Sequence, residues 1–373
     1  MTETNPVIRL SYIDGVRGWA ALFVVLFHVF RESMVNVWPL VSSPWLSIVL
    51  DGHLMVFIFF ILSGDALSVS FFGSNSLRPT SKIILQRYVR LTIPILVSCL
   101  MVFCLMSLGL TFTSDVAELL GRQDWYGRFL NFEPSLYACI KFSLRDVYFE
   151  YDKNISYNPF LWTMSVEMLG SLLVFSVLLV ISEINKKHRV TFLVGLTILM
   201  FFLSATYALF VYGVLLGFLR SAGYLKNKRF RSWLSVGLLC SCLFVSVLQA
   251  REFDGFFGYL RKIIEGNFGH AVLASFFVYC IYVIDPIRIF FCGNFSVFLG
   301  KISFAMYVLH FPIIVSVYAG GLLYLNSMGY GSDFFMLLLS FFVVSLILIS
   351  AYFWATLESR YLFLIKQKFD NFY

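Results

Sequence analysis

Apolar residues run through this chain in long blocks separated by short polar breaks, and the length of the blocks carries the first reading. Predominantly apolar stretches near 11 to 30, 46 to 72, 91 to 112, 159 to 182, 190 to 204, 206 to 220, 233 to 249, 268 to 284, 297 to 319 and 333 to 357 predict about ten helices able to cross a bilayer. Most blocks are apolar on every face, as helices must be where lipid is the solvent. The blocks 190 to 204 and 206 to 220 are short and nearly touch, so they read as a tight hairpin or as one bent element. The longest polar interval, 113 to 158, holds the amphipathic stretch LYACIKFSLRDVYF, which predicts a segment lying in the membrane interface. With no repeat, low-complexity tract or soluble domain in view, the expectation is an all-α polytopic membrane protein forming one domain over residues 1–373.

Composition excludes the soluble alternative. Of 373 residues, 60% are hydrophobic and 13% charged, too little polar surface for a water-soluble fold. A net charge of +7 raises nucleic acid as a partner, but its distribution reads instead as a topology signal. With the N-terminus inside, nineteen of the 28 lysines and arginines fall at cytoplasmic ends, including the runs NKKHR and KNKRFR. Both termini are therefore expected in the cytoplasm, with the lipid bilayer as the first partner and no nucleic acid. The N-terminal run lacks a basic cluster and a small-residue cleavage site, so no removable signal peptide is expected. Seven cysteines form no CxxC pair and no Cys/His metal spacing, and no metal is expected.

Ionisable side chains within apolar blocks are costly unless paired or facing a cavity, so each is a candidate for function. In DGVRGWAALFVVLFH, which opens at Asp14, Arg17 and His28 stand eleven residues apart, about 16 Å along one helix face. A long anionic donor held at one end and reacting at the other would need that arrangement. The next block carries His53, then Ser63, Gly64 and Asp65; the Ser-Gly pair permits close backbone approach, and Asp65 calls for Arg, Lys or water. RYVRL sets Arg87 and Arg90 at i and i+3, a spacing suited to phosphate. LWTMSVE adds Trp162, Ser165 and Glu167, and a carboxylate beside a histidine would fix its tautomer for general base work. Tyr307 and His310, again i and i+3, are expected to line or brace the cavity.

Five segments, YIDGVRGWAALFVVLFH, FIFFILSG, RYVRLTIP, LWTMSVE and LGKISFAMYVLHFP, together resemble the acyltransferase-3 family of membrane acyltransferases over residues 11 to 312. The resemblance implies transfer of an acyl group, often acetyl from acetyl-CoA, to a hydroxyl of a carbohydrate or other acceptor. It implies that His28 is essential and that Arg17, Arg87, Arg90 and Glu167 support it. One position departs: after LSG the family usually has an aromatic residue, and this chain has Asp65. The competing expectation is a secondary transporter using the same His, Glu and Arg set as proton relay and anion site. Short loops point to a bacterial inner membrane.

Overall fold

The computed structural model describes residues 10–370 apart from 44, 45, 47, 48, 75, 227–232, 234, 235, 238, 239, 241–253, 257 and 260–265. The block expected at 233 to 249 therefore lies outside the described residues except at 233, 236, 237 and 240. All regular structure among the described residues is helical. Among the described residues, six helical stretches are long and apolar enough to cross a membrane: Ser11–Glu32, Gly52–Ser74, Gln86–Ser107, Pro159–Glu183, Asn294–Ser327 and Asp333–Arg360. The expected block at 268 to 284 becomes the helix Asn267–Val283, which breaks at Ile284 into Asp285–Cys292 with a bend of 88°. Pro286 at the start of the second piece cannot donate a helical hydrogen bond, which fits the break. The short blocks resolve into two helices, Lys186–Leu203 and Ala205–Ser221, parted by the single extended residue Ser204.

The chain forms two compact units. The first comprises Met1–Ala20, His53–Gln86 and Val166–Gly300, and the second Ala21–Gly52, Arg87–Ser165 and Lys301–Tyr373. In the first, small residues let helices touch backbone to backbone. A Cβ on Gly64 would lie 2.1 Å from the Phe210 carbonyl oxygen, and one on Gly213 would lie 2.1 Å from that of Ile61. Between two helices in lipid this close contact supplies packing that the hydrophobic effect does not. The close approach expected at Ser63 and Gly64 is thus realised against Ala205–Ser221.

In the second unit the interval 113 to 158 does not stay at one end of the span it follows. Tyr88 and Thr92, near the start of Gln86–Ser107, are bonded to the carbonyl of Leu144 at 2.6 Å and to the hydroxyl of Tyr148 at 2.9 Å. Asn158, at the interval's far end, donates to Ser98 at 2.9 Å, halfway along the same helix. Residues 136 to 149 therefore run back along this helix, and the chain then returns to enter Pro159–Trp162. The amphipathic stretch has one apolar face, with Cys139, Phe142, Val147 and Tyr148 buried. That face packs on a neighbouring helix, where sequence reading expected lipid headgroups. Arg145 accordingly lies toward the end of that helix that carries Arg87 and Arg90.

Candidate active site

His28 stands on a π-helical turn. The α-helix Ser11–Leu26 ends two residues before it, and Phe27–Glu32 continue with wider winding, a feature frequent at functional positions. Ser33 steadies the turn by donating its hydroxyl to the His28 carbonyl at 2.7 Å. The imidazole lies face to face with Phe160, ring centres 3.9 Å apart and planes 6° apart. Trp125 stacks at 5.9 Å and His310 at 5.3 Å.

Local chemistry fixes each neighbour. Phe160 belongs to the 3-10 turn Pro159–Trp162, whose Asn158 cap accepts from the Phe160 N–H at 3.1 Å. The Tyr307 hydroxyl donates to the Phe160 carbonyl. Since a phenol has one proton to give, the contact of 2.6 Å between Tyr307 and Thr163 runs from threonine to tyrosine. Tyr307 thereby braces the turn under His28. Trp162 and Ser165 follow directly, with the Ser165 hydroxyl on the Trp162 carbonyl at 3.0 Å. Trp125 is held from the other side. Arg122, buried, reaches Glu32 at 3.2 Å and Asp124 at 2.8 Å, and Tyr126 shares a hydrogen bond of 2.9 Å with Ser33. Hydrogen bonding from Arg122 holds the Asp124 carboxyl below its ordinary range, and burial pushes the Tyr126 phenol up.

Other candidates gather in the first unit. Glu167 accepts a short hydrogen bond from the Ser63 hydroxyl. Asp65, fully buried, has one oxygen 2.5 Å from Arg220 and the other accepting from the Tyr282 hydroxyl. Arg220 answers the demand that the sequence made for Asp65 and was not itself a candidate. Gly217 makes room, since a Cβ there would lie 2.5 Å from the Asp65 carboxylate. Tyr12 packs edge-on against Tyr282 at 5.5 Å. His53 and His270 lie 5.9 Å apart. Asp14 and Arg17 are half-buried on the first helix, where the Asp14 carbonyl sits against Gly300.

Arg87 and Arg90 belong to the second unit, one turn apart on Arg78–Ser107. Arg87 lies within electrostatic reach of Tyr148, and Arg90 within reach of the buried Glu358. The structure thus joins His28 with His310 and Tyr307, and Ser63 with Glu167. Phe160, Trp125, Arg122 and Arg220 escaped sequence reading. The available signals were the buried charge of Asp65, which demands a cation, and a lone Trp among polar residues. Among the described residues no group of three or more His, Cys, Asp or Glu side chains is placed to hold a metal ion.

Three comparisons bear on what this arrangement does. The family model Acyl_transf_3, described as an acyltransferase domain, matches residues 10–354. The O-acetyltransferase PaAT-1 of Phomopsis amygdali is 24% identical over 384 aligned residues, covering 84% of this chain and 73% of that protein. No solved structure matches.

Proposed function

The chain belongs to the acyltransferase-3 family and is a multi-pass membrane acyltransferase, and from that premise we propose that it moves acetyl from acetyl-CoA to an acceptor hydroxyl. The acceptor class we favour is a carbohydrate or another cell-envelope or secreted molecule. Support for acetyl transfer comes from the name of its relative, an O-acetyltransferase. The observation that carries the assignment of a base is His28, stacked on Phe160 with a second histidine 5.3 Å away.

His28 takes the proton of the acceptor hydroxyl as its oxygen attacks the thioester carbonyl. The tetrahedral intermediate then collapses, the C–S bond breaks, and the CoA thiolate leaves with the proton returned by the imidazolium. Glu167 is the proposed carboxylate partner of this chemistry, and a double-mutant cycle of His28→Ala with Glu167→Gln reads whether the two act as one unit. Arg87 and Arg90 are proposed to hold the donor's phosphates, because guanidinium groups one turn apart suit a dianionic ligand. Both termini are assigned to the cytoplasm of a bacterial inner membrane, on the strength of the basic runs and short loops.

The test is CoA release from acetyl-CoA by the purified chain in lipid, with membrane glycans of the source cell as acceptor. Acceptor-dependent release that disappears in folded His28→Ala supports the assignment. Acetylated product formed at undiminished turnover by that variant overturns it.

A further inference from the structure

His310 sits within the apolar helix Asn294–Ile313 and has no exposed surface. Its Nδ1 lies 3.1 Å from the Met306 carbonyl oxygen. A carbonyl can only accept, so Nδ1 carries the proton, and in the neutral ring Nε2 is a bare acceptor. That nitrogen is buried and meets no donor among the described residues. A buried acceptor left unmet costs about 1–3 kcal/mol, and few such groups survive in native structures without a role. The polar group nearest in sequence cannot serve it, because the Tyr307 proton is committed to the Phe160 carbonyl. The rings beside it, Phe160 at 4.9 Å and His28 at 5.3 Å, would give a resident water few partners. None of the described residues supplies the missing donor, which points to a bound ligand.

Resting on the hydroxyl-acceptor reading above, we infer that His310 contacts the acyl acceptor and receives a hydrogen bond from a hydroxyl adjacent to the one acylated. The oxygens of a gauche diol stand one hydrogen-bond length apart, so two imidazoles with centres 5.3 Å apart can each receive one of them. His28 deprotonates the reacting oxygen while His310 holds its neighbour. The substrate class is accordingly a sugar or polyol with adjacent hydroxyls, in place of an isolated alcohol. Phe160 stacks on both imidazoles and would move aside as the acceptor enters.

Two measurements on the full chain in lipid nanodiscs test this. Nitrogen-15 NMR of labelled histidine, assigned by the signal lost in His310→Gln, should show Nδ1 protonated and Nε2 bare. A protonated Nε2 overturns the inference whether or not an acceptor is in hand. In kinetics with source-cell membrane glycans, folded His310→Leu should raise the acceptor KM roughly ten- to hundredfold, with the acetyl-CoA KM unchanged. His310→Gln, which restores an acceptor oxygen near the place of Nε2, should recover part of that loss. An acceptor KM unmoved in folded His310→Leu overturns the role of His310 and leaves that of His28 standing. Full turnover in His28→Ala removes the His28 assignment instead, so the two failures are separate. Product analysis should find the new ester beside a free hydroxyl, and an ester on an isolated hydroxyl overturns the diol class.

Discussion

Two buried polar clusters of this protein solve the same physical problem in opposite ways. Around Asp65, both carboxylate oxygens are met by residues of the chain, Arg220 and Tyr282, on two other helices. Around His310, one ring nitrogen is met by the backbone and the other is left open beside His28. A charge in a medium of low dielectric must be compensated within the fold, whereas a neutral imidazole can leave an acceptor vacant at modest cost. The first cluster therefore holds helices together, and the second is suited to receive a substrate. Having a polar group inside the membrane does not by itself distinguish a site from a clamp: Arg220 Nε is also unmet among the described residues, and what sets His310 apart is that its open atom is a bare acceptor beside His28.

Mutations can break this contrast. The largest effect is expected at His28→Ala, which should lower turnover roughly a hundred- to ten-thousand-fold while the unfolding midpoint in lipid barely moves. A large fall in that midpoint would make His28 a structural residue. Next comes Asp65→Ala, which strands Arg220 and should cost about 3 kcal/mol of stability, read as a lowered thermal midpoint. The double change Asp65→Leu with Arg220→Met should recover most of it, since a buried pair is replaced by apolar packing. If the double variant is as unstable as the single, the pair contributes net stability rather than merely compensating itself.

Smaller effects sharpen the same comparison. Gly217→Ala sets a methyl 2.5 Å from the Asp65 carboxylate and should cost about 1–3 kcal/mol, read by the same thermal midpoint, with no change in acceptor KM. The smallest effect concerns Asp124, on the loop that carries Trp125 over His28. Its carboxyl is held low by Arg122, so the bond stabilises the folded state above the unfolded pKa of about 3.9 and is lost as pH falls through the folded value. Asp124 is largely exposed, so Asp124→Asn should cost within about 1 kcal/mol at neutral pH. Comparing midpoints at pH 7 and pH 3 should show a smaller acid loss in the variant than in the wild type.

The sequence by itself determined the solvent and the helices. Blocks of apolar residues long enough to span hydrocarbon can settle nowhere else, and six described helices of that kind lie where such blocks stand. It also marked residues bearing chemistry, because a charge or an imidazole in an apolar run stands out against a quiet background. Which of them meet was a tertiary matter. The partner of Asp65 lies 155 residues away, and although Asp65 calls for a cation, nothing local to it says which one. Phe160 is one of 43 phenylalanines, and only packing distinguishes the ring on which His28 lies. The stretch 136 to 149 shows the limit most plainly. Periodicity revealed that it had an apolar face, but what covers that face, a bilayer surface or the flank of Gln86–Ser107, is decided by the competition among all surfaces the folded chain offers.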